Sequence, residues 1–192
     1  MPVARRGGTW VQRWRVPLGF ACAAVFIVLA RPDKRSLAVG GSVAVVGLAI
    51  RAWASGHIRK NARLAVSGPY AHTRNPLYLG SFILGLGFTV AASSNLLLFL
   101  ALGGLFASLF LGIYWPVMRV EAATLAEMFG EEYKSYAAAV PLLFPRLTPY
   151  RAGEGPAVRF DPSLYLRYRE YRAALGLLVA WCVLWLKAVL AF

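Results

Sequence analysis

Two stretches of the 192-residue chain carry polar groups in arrangements that can do chemistry. The first reads Ser67-Gly68-Pro69-Tyr70-Ala71-His72-Thr73-Arg74-Asn75-Pro76-Leu77-Tyr78-Leu79-Gly80. Gly68-Pro69 and Asn75-Pro76 are turn formers, and Pro76 suits the first helical position, where an N–H would have no intrahelical partner. Asn75 then takes the N-cap position. The N–H groups of such a helix start carry partial positive charge and seat a carboxylate or phosphate, and Arg74 beside them strengthens the preference. The alternative is that Arg74 pairs with lipid phosphate while Tyr70 and Tyr78 sit in an interfacial aromatic belt.

The second stretch runs from Arg119 to Tyr136. Leu125, Met128, Phe129, Tyr133 and Tyr136 recur at three- and four-residue spacing, which predicts an amphipathic helix. Glu121 lies one turn before Leu125 on the same stripe, whereas Glu127, Glu131 and Lys134 lie off it. An acid on the face that packs is costly unless something satisfies it, so Glu121 is a candidate for function. The alternative is a structural ion pair with Arg119 or Arg74. Beyond Tyr136, Val140-Pro141-Leu142-Leu143-Phe144-Pro145-Arg146 is an apolar, proline-fixed strap expected to fold back over a pocket.

The elements that position these residues are apolar helices. Hydrophobic residues make up 59% of the chain and charged ones 15%, with a mean hydropathy of +0.57. That composition excludes an ordinary soluble enzyme, a disordered chain and a disulfide scaffold, and points to an all-α polytopic membrane protein with a single membrane domain. Between Arg74 and Arg119 lie 44 residues without a charge, enough for two spans, near 77–92 and 96–118, reversed at Ala92-Ser93-Ser94-Asn95. A last span runs over 173–192, with Lys187 close enough to its end to snorkel. Arg15 to Arg31 and Arg35 to Arg51 each enclose 15 uncharged residues, expected to form a helical hairpin over 16–54. The expected total is five transmembrane helices. With the N-terminus inside, seventeen of the 21 basic residues fall on the cytoplasmic side, including those of 51–76 and 119–172. Gly104, Ser108 and Gly112 give the fourth helix a smooth edge for a neighbour, and Gly80 and Gly87 do the same on the third. Cys22 and Cys182 both lie in predicted helices, and His57 and His72 lack metal-ligand company, so no disulfide framework or metal site is expected. The basic-aromatic run Tyr165 to Arg172 reads as interfacial anchoring rather than nucleic-acid binding.

Taken together, Gly68-Pro69-Tyr70…Arg74-Asn75-Pro76-Leu77-Tyr78-Leu79-Gly80 and Glu121…Phe129-Gly130-Glu131-Glu132-Tyr133…Tyr136…Val140-Pro141…Pro145 resemble the isoprenylcysteine carboxyl methyltransferase family, itself related to the phospholipid N-methyltransferases. The resemblance covers roughly 47–146, and Gly56-His57-Ile58-Arg59-Lys60 with the Asn-Pro helix start is similar to bacterial members. It implies an enzyme of the bacterial inner membrane that uses S-adenosylmethionine in a cytosol-facing pocket, with a lipidic substrate entering from the bilayer. Carried over by position, the cofactor would touch Ala62, Arg63, Leu64, Ala65, Tyr70, Asn75, Pro76, Leu77, Tyr78 and Glu121. Gly85-Leu86-Gly87 also matches a Gly-x-Gly associated with the cofactor in phospholipid methyltransferases, packing being the alternative.

The chain departs from the family at Ala122, where a second acid is common, and at Val117, where eukaryotic members carry a substrate-binding Arg. Arg119 is the nearest replacement for that Arg, although two residues along a helix is about 200° round. Methyl transfer to a carboxylate needs alignment and exclusion of water more than a base, which fits the lack of a catalytic dyad; Arg74 and Glu121 are the residues expected to act. An amine acceptor would need a base, and His57 or Glu121 are then the candidates. The alternatives are phospholipid N-methylation, a membrane reductase using NADPH, and a non-catalytic membrane protein. The C-terminal helix, beyond the resemblance, is read as a cover for the lipid entrance or a surface for self-association.

Overall fold

The computed structural model describes residues 10–59, 63–151 and 159–190, and every regular element among them is helical. The order is α1 (Trp10–Leu29), α2 (Lys34–Ser55), a 3-10 turn (Gly68–Ala71), α3 (Pro76–Ala91), α4 (Leu96–Ala139), α5 (Pro162–Arg167) and α6 (Tyr171–Leu190). Three helices, α2, α4 and α6, are long and apolar enough to cross a membrane. The apolar α3 has 16 residues and is shorter. Length and composition thus support three of the five expected spans.

The tightest contact joins α2 to α3, because glycines let the two backbones touch. A Cβ on Gly40 would collide with the Gly87 carbonyl and Ala91, and one on Gly47 with the Gly80 carbonyl and Leu84. Gly80 and Gly87 therefore form the smooth edge expected of them, and Gly85 packs on the Phe106 ring. Gly104 and Gly112 do not: no described atom lies within 4 Å of a Cβ placed on either. Among the described residues that edge meets no neighbour.

Asp33 and Ser36 form a reciprocal cap that starts α2, with Ser36 N–H donating to Asp33 Oδ1 at 2.7 Å. The described part of α1 packs on α4, while the glycine face of α2 meets α3. Phe26 and Ala30 share a core with Leu37 of α2 and with Ala91, Ala92, Leu102 and Leu184. Lys187 does not snorkel away from the bundle. Its Nζ donates to the carbonyls of Ile27 at 2.6 Å and Val28 at 3.2 Å, the unpaired C-terminal oxygens of α1.

The predicted span over 96–118 and the predicted amphipathic helix after it are one element. At 1.5 Å per residue the part of α4 before Gly130 alone extends about 50 Å, well beyond a bilayer core of about 30 Å. Gly130 alone breaks the helical backbone, at φ 52 and ψ −126. That kink turns Tyr133, Tyr136 and Val140 onto Leu64 and Val66, closing a second core. Gly130→Ala is expected to cost about 1–2 kcal/mol in detergent unfolding, because the position has open space but a backbone that L residues resist. Gly104→Ala, on helical backbone with open space, is the control and leaves stability unchanged or raises it.

Candidate functional site

One end of the bundle gathers the C-terminus of α2, the 63–75 loop, the start of α3 and the second half of α4 around a cavity of about 610 Å3. That volume lies in the usual range for small-molecule sites. The loop contributes Arg63, Leu64, Ala65, Tyr70 and Arg74. Asn75, Pro76, Leu77 and Tyr78 bring in the first turn of α3, and α4 supplies Glu121 with the apolar wall of Leu125, Met128 and Phe129. Two segments at either end of the 44-residue charge-free stretch thus face one space.

An aromatic ladder aligns α3 with α4. Phe82 stacks on Phe106 at 5.6 Å, Phe110 meets Tyr114 at 4.6 Å, and Tyr114 meets Tyr78 at 5.3 Å between ring centres. The ladder delivers Tyr78 to Glu121, and its hydroxyl donates to Glu121 Oε1 at 3.0 Å. Glu121 is exposed in the cavity mouth, and among the described residues it forms no ion pair with Arg119 or Arg74.

The strap from Val140 to Arg146 does not cover the cavity, as expected of it, but braces the loop from behind. Arg74 N–H donates to the Pro141 carbonyl at 2.9 Å and Arg146 N–H to the His72 carbonyl at 2.9 Å. Thr73 Oγ1 donates to the Leu143 carbonyl at 2.8 Å and Asn75 Nδ2 to the Leu142 carbonyl at 3.0 Å. Asn75 holds the N-cap position of α3 but gives the helix no side-chain cap, since its amide faces the strap. The start of α3, whose Asn75, Pro76, Leu77 and Tyr78 line the cavity, therefore has no side-chain cap. Thr73→Val is expected to destabilise the fold by about 1–3 kcal/mol, because the substitution leaves buried strap carbonyls with a lost donor. Faster hydrogen exchange across 71–75, measured by mass spectrometry, is the accompanying readout.

Arg51, Arg59, Arg63 and Arg74 line the cavity against a single carboxylate, Glu121, so it favours anionic groups. Arg74 is held by Tyr133, whose hydroxyl accepts from Nη1 at 3.2 Å, and Tyr136 donates to the Tyr70 carbonyl at 2.7 Å. Three buried side-chain atoms lack a partner among the described residues: Arg51 Nε, Tyr70 Oη and Arg74 Nε. All three belong to residues of this cavity. Burial holds the Tyr70 phenol well above its ordinary pKa, so it remains a protonated donor.

Two expected residues stand elsewhere. His57 is buried outside the lining, its Nδ1 2.9 Å from the Trp53 carbonyl and its ring behind Gly68 and near Phe160. Arg119 is exposed on α4 and does not line the cavity; Val120 and Glu121 turn toward it instead. Ala62 lies outside the described residues. Sequence reasoning missed Arg51 and Ser81. Ser81 is one turn past Leu77 on the same face, a signal present in the motif, but Arg51 reads only as the flank of a span.

With this geometry in place, comparison with known proteins is decisive on one point: residues 39–132 match the phospholipid methyltransferase family. This core belongs to that family. The matched segment contains most of α2, the loop before α3, α3 itself and α4 as far as Glu132, Glu121 included. The chain is also 35% identical over 150 residues to the cobalt-zinc-cadmium resistance protein CzcN of Cupriavidus metallidurans, covering 72% of this chain and 64% of that protein. It is 36% identical over 118 residues to the nickel-cobalt-cadmium resistance protein NccN of Alcaligenes xylosoxydans xylosoxydans, covering 59% and 50%. The chain thus spans less than two thirds of the length of either relative. No solved structure matches it.

Proposed function

We propose that this member of the phospholipid methyltransferase family is a membrane-integral enzyme that uses S-adenosylmethionine to methylate a lipidic or amphiphilic small molecule, preferably at a carboxyl oxygen. The observation that carries the reading is the convergence of three unpartnered buried polar atoms, an uncapped helix start and one carboxylate on a single cavity. These residues fit the cofactor. Arg74, Tyr70 and the first turn of α3 suit its methionyl carboxylate, Glu121 and Tyr78 suit an ammonium or ribose hydroxyl, and Leu125, Met128 and Phe129 suit the adenine. Once bound, it supplies an electrophilic methyl group. The residues present bind, align and exclude water; a carboxylate acceptor requires no proton from them. Neither His57 nor Arg119 belongs to this proposed site.

The reading includes α1 and α3 as short spans beside α2, α4 and α6, with the N-terminus and the cavity on the cytoplasmic side of a bacterial inner membrane. It is supported by the excess of basic residues in 51–74 and 119–172 and by Arg51, Arg59, Arg63 and Arg74 lining one cavity with the second half of α4. Phospholipid amine methylation is the second reading, favoured by the family match. The relatives' names connect them with metal resistance, and methylation of a membrane component is compatible with such a role. Among the described residues no group of three His, Cys, Asp or Glu gathers to hold a metal.

The test is titration calorimetry of S-adenosylmethionine on the protein in nonionic detergent, followed by methyl transfer from radiolabelled cofactor to membrane lipid extracts. Saturable binding is expected, weakened roughly 10-fold or more by Arg74→Ala. Absence of saturable binding by folded protein would overturn the proposal, and label entering phosphatidylethanolamine would favour the second reading over the first.

A further inference from the structure

The strap that braces the 71–75 loop turns its backbone inward and its apolar side chains outward. Pro141, Pro145 and Pro149 have no N–H to satisfy. The carbonyls of Pro141, Leu142 and Leu143 accept from Arg74, Asn75 and Thr73. Arg146 exchanges two bonds with His72: its N–H donates at 2.9 Å and its carbonyl accepts from Nδ1 at 2.8 Å. Tyr150 N–H donates to the Ala71 carbonyl at 2.9 Å. Phe144, by contrast, is 60% exposed and Leu147 96%, beside the exposed rings of the three prolines. Thr148 is the one polar residue exposed over 140–149, and its hydroxyl already accepts from Arg146 Nη2 at 3.0 Å. A loop in water shows polar side chains and leaves backbone groups to solvent, whereas a segment in hydrocarbon must satisfy its backbone within the protein.

The place of the strap agrees with the second case. Leu143 is buried in one apolar cluster with Leu79 and Met118, against which Leu111 and Tyr114 also pack. Met118 immediately precedes Arg119, where the charge-free stretch of α4 ends, and α4 is long and apolar enough to cross a membrane. The strap therefore lies beside the last apolar turns of a span, the level at which acyl chains give way to headgroups. Arg151, exposed four residues after Leu147, supplies a cation for lipid phosphate there. We propose that the strap is itself a lipid-binding surface, with Phe144 and Leu147 inserted among the acyl chains of the adjoining leaflet and Arg151 at its phosphates. The contact is independent of the proposed methyl transfer and rests only on α4 and α6 crossing the membrane. It makes the leaflet part of the support of the main cavity, because the same strap holds the loop that brings Arg74 and Asn75 to the lining.

The test is site-directed spin labelling of the full chain in nanodiscs of phosphatidylcholine and phosphatidylglycerol. With Cys22 and Cys182 replaced by alanine, single labels are introduced through Phe144→Cys, Leu147→Cys, Leu178→Cys and Glu131→Cys. Leu178, 61% exposed midway along α6, reports the acyl region, and Glu131, with a side chain 83% exposed, reports water. Labels at Phe144 and Leu147 are expected to collide with oxygen and to be shielded from a water-soluble nickel chelate. Their oxygen-to-nickel ratio should stand severalfold above that at Glu131 and near that at Leu178. Nickel access at Leu147 equal to that at Glu131 would overturn the proposal. Labels closed to both reagents and broadened by a second spin would overturn it in favour of an interface between copies. Nickel access at Leu178 would bring down the span and the strap together. The unmodified chain gives a second reading that no substitution can disturb. A phospholipid with a photoreactive group in its acyl chain should label peptides containing Phe144 and Leu147, and label on α6 with none on the strap refutes the contact.

Discussion

Glu121→Ala is expected to lower affinity for S-adenosylmethionine about 10- to 100-fold while leaving the unfolding transition within about 0.5 kcal/mol of the parent. The split follows from where the carboxylate sits. It is exposed at the cavity mouth and accepts from Tyr78 at 3.0 Å, so the folded protein loses little when it goes. A bound amine or ribose hydroxyl in the same mouth would instead lose a charge-assisted bond, worth about 1.5–3 kcal/mol. Glu121→Gln, which keeps the shape without the charge, should fall between the two. Calorimetry on all three proteins decides the matter, and full cofactor affinity in Glu121→Ala would remove that residue from the site.

The largest effect on stability is expected at Gly87. A Cβ there would meet the Ala44 backbone nitrogen and the Gly40 carbonyl, and backbone cannot swing aside as the end of a side chain can. Gly87→Val should therefore force α2 and α3 apart and destabilise the protein by about 3 kcal/mol or more. It should also weaken cofactor binding indirectly, since Arg51 on α2 meets Leu77 and Ser81 on α3. Gly112→Val is the matched control, with no described atom near its new side chain. Thermal unfolding of the two variants in detergent should separate them clearly, and equal melting would refute the glycine contact as the joint between these helices.

Much of this architecture can be read from local signals. The long charge-free stretch gives α3 and α4, and its polar interruption ends at Asn95, which caps α4 by accepting from the Leu98 N–H at 2.9 Å. The Asn-Pro start of α3 and the stripe through Glu121 identify the two walls of the cavity, because residue type and spacing there are consequences of a helix start and a helix face. Other features leave no such trace. Arg51 meets Glu170 across 119 positions, and Lys187 meets Ile27 across 160. Each looks in sequence like an ordinary charge at the edge of a span. The continuity of α4 past Arg119 is hidden for the opposite reason: charged residues mark where apolar surface ends, and a helix has no need to end there. The brace formed by the strap is invisible too, because it uses backbone groups that every residue carries.

That brace sets an order on how the protein is made. The loop at 71–75 emerges from the ribosome with α3 about to follow, but the residues that fix it, Pro141 to Arg146, are translated some seventy positions later. At ordinary elongation speeds that is a delay of roughly 4–14 s, during which α2 and the first part of α4, each apolar and long enough to cross a membrane, are made with the loop still untethered. Insertion and maturation of the pocket are thus separate events. A nascent chain arrested before Pro141 would already be seated in the membrane, yet would lack the means to hold a ligand.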